Sequence, residues 1–159
     1  MQIWQTEPVY FVPKGELLFE SAQEMVYLAG RRGWSLGETV WNYEAALLGF
    51  SKKEALTEMV SRLEVMRKSA ASGFSVDTLQ LRLLNPSAHN ISLREQKKNL
   101  AIGGIHTQAA SCAMAVMHTT CSQGVICAAP TGGASGTVPG VVLTLMESYH
   151  LSEKQAALL

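Results

Sequence analysis

An all-α fold, with one candidate short strand at the N-terminus, follows from three observations. Serines followed three residues later by Glu or Gln recur along the chain, among them Ser35/Glu38, Ser51/Glu54, Ser92/Glu95 and Ser152/Gln155. That spacing lets a serine hydroxyl and an acid or amide satisfy each other's backbone N–H at a helix start. Apolar residues recur with a helical period, most clearly Leu56, Met59, Val60, Leu63 and Met66. Strand-like alternation is confined to residues 1–15, where Val9-Tyr-Phe-Val12 lies between Pro8 and Pro13 and reads as a short edge strand.

Residues 1–15 read as a linker or as the tail of a preceding domain, and residues 16–159 as one helical domain. Leu17, Leu18, Met25 and Leu28 predict a helix over 16–29, stopped by Gly30 and Gly33. Ser35 and Glu38 open a second that runs through Leu48. Ser51 and Glu54 open a third to about Ser72, with Gly73 as its stop, and Lys52, Lys53, Glu58, Arg62 and Glu64 fall mostly off its apolar stripe. Residues 74–91 read as irregular, with a turn at Asn85-Pro86. Ser92 and Glu95 predict one long helix reaching Ser122, and Val138–Tyr149 another. Ser152 and Gln155 begin a last helix just before Leu159, which reads as a domain truncated on its C-terminal side.

Composition removes several functions. The chain has 159 residues, 47% hydrophobic and only 16% charged, which suits one domain with a sizeable core. Net charge is zero and the isoelectric point is about 6.9, so neither nucleic acid nor an anionic membrane has electrostatic support. The uncharged stretch Leu100–Met117 contains His106, Thr107, Gln108 and Ser111, which are costly in lipid, so it reads as a buried helix. The first residues lack the pattern of a signal peptide. Three cysteines in apolar surroundings fit a reducing cytoplasm better than a disulfide scaffold. Low charge beside so much apolar surface points to a partner or further chain covering part of it, and so to an oligomer.

The most informative stretch is Gly124-Val-Ile-Cys-Ala-Ala-Pro-Thr-Gly-Gly-Ala-Ser-Gly-Thr-Val-Pro-Gly140. Gly132, Gly133 and Gly136 permit positive φ, so successive N–H groups can converge on one point. Pro139 suits the first turn of a helix, whose positive end, with the Thr131 and Ser135 hydroxyls, makes a small anion site. Thr131, Gly132, Gly133, Ser135 and Gly136 are therefore the candidate ligand-binding residues. The Gly-Lys-Ser/Thr ending of a phosphate loop and the Gly-x-Gly-x-x-Gly dinucleotide spacing are both absent. No Lys or Arg occurs between Lys98 and Lys154, which favours a carboxylate over a phosphate.

This loop resembles the Gly-x-x-x-x-Ala-Pro-Thr-x-Gly-x-x-Gly-x-x-Pro element of the iron-sulfur-dependent L-serine dehydratases (L-serine ammonia-lyases). Phe19-Glu-Ser-Ala-Gln-Glu-Met25, Ser35-Leu-Gly-Glu38, Asn42-Tyr-Glu44 and Ser51-Lys-Lys-Glu54 are similar to the opening helices of that family's alpha domain. The resemblance covers roughly residues 19 to 150. It implies a bundle-like helical part of an alpha domain, paired with a beta domain or beta subunit. It also implies elimination of water and ammonia from L-serine to give pyruvate, with a [4Fe–4S] cluster polarising the β-hydroxyl in the full-length protein. The loop residues named above would hold the substrate carboxylate. Family cluster cysteines lie downstream of the loop, so none of Cys112, Cys121 and Cys127 is assigned to it. No cluster or other metal is expected in this fragment, which should be inactive alone.

Other residues carry less. Cys112 and Cys121 fall on opposite faces of an ideal helix, at about 100° per residue, and all three cysteines read as buried thiols. His106 and His118 fall about 120° apart, too far round one helix to share a metal, and read as polar groups satisfied near the core. His89 and His150 read as exposed. Glu38, Glu44 and Asp77 show no pairing suited to acid–base work, and no catalytic base is assigned. Where the family carries Glu-x-Asn or Glu-Asn, this chain reads His118-Thr-Thr-Cys-Ser-Gln-Gly124, and Leu81–Ala88, with Arg82, replaces a Gly/Pro-rich turn. These departures leave L-threonine and L-cysteine as alternative substrates, and a catalytically inactive helical subunit or interaction domain as the rival reading.

Overall fold

The computed structural model describes residues 15–75, 81, 85–129 and 131–159. The candidate strand at 9–12, together with Asp77, Arg82 and Pro130, lies outside the described residues. Among the described residues there are seven helices and no strand: α1 (Ala22–Arg32), α2 (Leu36–Leu48), α3 (Lys52–Phe74), α4 (Ser87–Gln96), α5 (Ile105–Cys121), α6 (Ala134–Ser148) and α7 (Glu153–Ala156). Contacts divide the chain into two compact units, residues 1–57 and 58–159.

In the first unit the helix ends follow local chemistry. Ser35 accepts from the Glu38 N–H at 3.1 Å while Glu38 Oε2 accepts from the Ser35 N–H at 2.9 Å, the reciprocal cap of α2. Ser51 and Glu54 repeat it at the start of α3. Helix α1 starts at Ala22, six residues later than the periodicity suggests. Ser21 takes the N-cap, accepting from the Glu24 N–H, and Leu17 and Leu18 are 52% and 41% exposed, so no burial extends the helix backwards. Gly30 does not stop α1; Gly33 and Gly49, both at φ +64°, close α1 and α2 in the left-handed region that favours glycine. Thr39 is fully buried, its hydroxyl returned to the Ser35 carbonyl. Lys52 Nζ lies 5.6 Å from both the Trp34 and Trp41 rings, and the Trp41 indole N–H donates to the Lys52 carbonyl.

The second unit is organised around α5. Cys112 and Val116 of α5 and Ala70 of α3 form a core onto which Phe74, Ile126 and Leu143 pack. Glycine, where the sequence suggests a stop, instead permits close helix contact. Gly73 is buried inside α3, and a β-carbon on it would collide with the Ala115 backbone of α5. One turn away, Thr119 Oγ1 donates to the Ser69 carbonyl at 2.7 Å, a buried bond joining the same two helices. A β-carbon on Gly140 of α6 would lie 2.7 Å from the Ala109 carbonyl oxygen, and one on Gly136 would lie 3.0 Å from that of Ala113. At the far end Arg67 pairs with Glu64 at 2.7 Å and Glu153 at 3.4 Å, partly exposed contacts of small energetic weight.

Two further helix assignments are corrected. The single helix expected from Ser92 to Ser122 is two, because α4 begins at Ser87 behind Pro86 and ends at Gln96, with Lys98 at φ +54° and Gly104 at φ +102° turning the chain. Ser92 and Glu95 therefore form no cap; Glu95 Oε1 instead accepts from the Gly104 N–H at 2.6 Å, at the entry of α5. Helix α6 begins at Ala134, four residues ahead of the expected start, so Pro139 sits inside it and not in its first turn. Having no N–H, Pro139 leaves the Ser135 carbonyl without its helical donor. None of the described helices is long and apolar enough to cross a membrane.

Candidate functional site

The glycine loop enters α6 through one left-handed residue. Gly133, at φ +85°, is the N-cap, and no side chain caps the helix. Gly132 and Gly136, expected to share positive φ, do not have it. Gly136 belongs to the helix, and its missing side chain is what lets α6 close on Ala113 and Met117. Part of the local hydrogen bonding is already used. The Ala134 N–H donates to the Thr131 carbonyl at 3.1 Å, and the Gly136 and Thr137 N–H groups donate to the Gly133 carbonyl at 3.1 and 3.0 Å. The amide of Gly136 is thus engaged by backbone, and the Thr137 hydroxyl also turns back to Gly133.

Beside the loop lies a cavity of about 510 Å³. One wall is the start of α6, with Gly133, Gly136 and Thr137; the opposite wall is α5, with Ala113, Met114, Met117 and His118; Asn85 and Ser87 close it from the entry of α4. Of the five loop residues singled out from sequence, Gly133 and Gly136 line this space. Thr131 and Gly132 lie exposed on the approach, and Ser135 is half-buried in the first turn. No Lys or Arg lines the cavity among the described residues, so attraction for an anion there falls to the positive end of α6.

His118 is the residue sequence reasoning undervalued. It is 4% exposed, and its Nδ1 has no hydrogen-bond partner among the described residues, so it is buried but not satisfied as a core histidine would be. The backbone of Gly73 on α3 lies beside the ring, and Nδ1 is closed to solvent. Burial pushes the imidazole below its ordinary pKa, and the Gly73 contact only partly opposes this. The available signal was position: His118 is four residues after Met114 and one after Met117, on the helix face that α6 covers. By contrast His106 is exposed near the start of α5 and does not join it. His89 is half-buried on α4, and His150 is exposed at φ +52°.

The three thiols are not brought together into a donor set. Cys112 is buried and its thiol is pushed up to about 11, first by desolvation and then by Glu147. Cys127 is half-buried, donates to the Arg62 carbonyl at 3.3 Å, and is raised by burial. Cys121 is exposed, against the expectation of a buried thiol. Among the described residues no group of three or more His, Cys, Asp or Glu side chains could hold a metal ion. A cluster needs accessible thiolates converging on one point, and these residues do not fit one.

A family model described as serine dehydratase alpha chain matches residues 31–159. The chain is similar to the probable L-serine dehydratase, alpha chain, of Bacillus subtilis (strain 168), 22% identical over 138 residues, which covers 87% of this chain and 46% of that relative. It is similar as well to the L-serine dehydratase, alpha chain, of Peptoniphilus asaccharolyticus, 22% identical over 134 residues, with 84% and 46% covered. The chain therefore spans about half the length of the curated relatives it matches. No solved structure matches it significantly.

Proposed function

Since the chain belongs to the serine dehydratase alpha chain family, we propose that it forms the carboxylate-binding part of a lyase that converts L-serine to pyruvate and ammonia. One observation supports this most: the glycine loop and α5 together border a cavity of about 510 Å³, roomy for a small amino acid, at a helix start that no side chain caps. Residues 16–159 would be the N-terminal part of the alpha domain, working with a beta domain or beta subunit. The free thiols are consistent with a reducing, cytoplasmic setting.

In this reading the Gly132 and Gly133 N–H groups and the Thr131 and Ser135 hydroxyls hold the substrate carboxylate. Gly136 contributes by its bareness, which brings the helix start up against the cavity. Fixing the carboxylate orients the α-carbon and the β-hydroxyl for elimination of water. The resulting enamine tautomerises to an imine, which takes up water and releases ammonia, leaving pyruvate. The [4Fe–4S] cluster implied by the family would find its ligands outside this chain, since the thiols here do not fit it, and no step is assigned to it.

The test uses the full-length protein that carries this chain, reconstituted anaerobically with iron and sulfide. Keto-acid release from L-serine, L-threonine and L-cysteine is followed, with Ser135→Ala and Thr131→Ala beside the wild type. Turnover of L-serine with KM raised about tenfold in each variant is expected, the loss of one hydrogen bond to a charged group. No keto acid from any of the three substrates removes the catalytic reading. Retained amino-acid binding without turnover would instead assign the chain to a non-catalytic subunit.

A further inference from the structure

A second cavity, of about 360 Å³, lies where polar faces of three helices meet. Ser92 and Glu95 of α4, Gln108 and Ser111 of α5, and Thr144 and Glu147 of α6 line it, each pair spaced to share one face of its helix. It has no lining residue in common with the cavity beside the glycine loop. Glu95 and Glu147 are each the last residue but one of their helix, where the negative end of the dipole disfavours a carboxylate. Neither forms an ion pair among the described residues, and no Lys, Arg or His among them lines the cavity. Arg94, next to Glu95, is exposed and lies outside the lining.

Thr144 adds an independent sign of a ligand. The other buried threonines, Thr39 and Thr119, donate their hydroxyls to the Ser35 and Ser69 carbonyls at 2.8 and 2.7 Å. Thr144 is 6% exposed, yet its hydroxyl makes no hydrogen bond among the described residues, and it is not sealed from solvent as His118 Nδ1 and Ser122 Oγ are. The opening left to it is the cavity it lines. A free hydroxyl beside two carboxylates without counter-ions calls for a cation that carries N–H donors. A bare metal ion suits the space poorly, since its ligands must close to about 2.0–2.6 Å, and no metal-holding group of three or more His, Cys, Asp or Glu exists among the described residues. Phe74 and Cys112 give the cavity an apolar side, with room for a short carbon chain and a ring for the cation to approach. We propose that this cavity binds a small primary alkylammonium ion, whose charge answers Glu95 and Glu147 and whose N–H donates to the Thr144 hydroxyl. An amino-acid zwitterion is disfavoured there, because its carboxylate would meet the same two acids. The proposal is independent of the carboxylate reading of the glycine loop.

The test uses the full-length protein with carbon-13 in its threonine methyl groups. Propylammonium chloride is titrated at constant ionic strength, beside tetramethylammonium chloride, which has the charge without N–H, and potassium chloride. The Thr144 methyl resonance should move saturably with propylammonium and stay still with the other two salts, a readout that needs no variant to fold. In calorimetric titration, Glu147→Gln and Thr144→Val should each weaken propylammonium about tenfold, the loss of one charge-assisted hydrogen bond or of the charge behind it. No saturable response of Thr144 to propylammonium overturns the proposal. An equal response to potassium or tetramethylammonium overturns it as well, because the site would then read charge and not N–H donors. Folded variants that keep the wild-type affinity would place the ion elsewhere and refute the assignment.

Discussion

The α-carbon of Gly73 faces the backbone of Ala115 so closely that a β-carbon would overlap the Ala115 carbonyl. In an open helix, Gly→Ala gains up to about 1 kcal/mol of helix propensity. At Gly73 the obstacle is backbone, which cannot rotate away, so overpacking outweighs that gain. Gly73→Ala should lower the unfolding free energy by about 2 kcal/mol or more. Gly30 of α1 has nothing within 4 Å of the same position, and Gly30→Ala should raise it by about 0.5–1 kcal/mol. Urea titrations followed by far-ultraviolet circular dichroism measure both; the same sign at the two sites would contradict the close crossing.

Protonation of His118 should oppose folding. Its pKa lies below 6.5 in the folded chain, chiefly through desolvation, while the unfolded chain titrates near 6.5. Between the two values the unfolded state binds more protons, so the contribution is fully present above about 6.5 and is lost as pH falls through the folded value. The stability difference between wild type and His118→Phe should therefore shrink from pH 7.5 to pH 5. Parallel pH profiles would show that the ring titrates alike in both states.

The thiols should react in the order of their exposure. Cys121 is open to solvent, Cys127 is half-buried and bonded to the Arg62 carbonyl, and Cys112 is buried with its thiol pushed up to about 11. At pH 8 only about one thousandth of Cys112 would be thiolate even if it were accessible. Iodoacetamide labelling read by mass spectrometry should modify Cys121 first and Cys112 last; early labelling of Cys112 would show that the core opens there.

Glu95 should matter through its carboxylate oxygen. Its 2.6 Å bond from the Gly104 N–H serves the entry to α5, which no side chain of its own caps. Glu95→Ala should cost about 1 kcal/mol, within the range for losing a cap, and Glu95→Gln less, because an amide oxygen still accepts. Equal losses for the two would mean that charge, and not the hydrogen bond, is what counts.

Helix starts are legible in the sequence where their chemistry is local. Ser35/Glu38, Ser51/Glu54 and Ser152/Gln155 all form the reciprocal caps that their spacing suggests. Ser92/Glu95 has the same spacing and forms none, because Glu95 is drawn to an N–H nine residues away. Glycine is ambiguous for the same reason: Gly33 and Gly49 end helices, while Gly73, Gly136 and Gly140 continue them under a neighbour whose nearness no local pattern records. The loop at Thr131–Gly136 stands out by composition alone. Its facing wall does not, since Met114, Met117 and His118 gain their place only once α6 folds back over α5.

All three tryptophans fall before residue 57, and the two described ones flank the Lys52 ammonium. Indole emission therefore reports on the first unit and says nothing of the second, whose aromatic side chains among the described residues are Phe74 and Tyr149. A fluorimeter would register melting around Trp34 and Trp41 while remaining blind to the core around Cys112 and Val116.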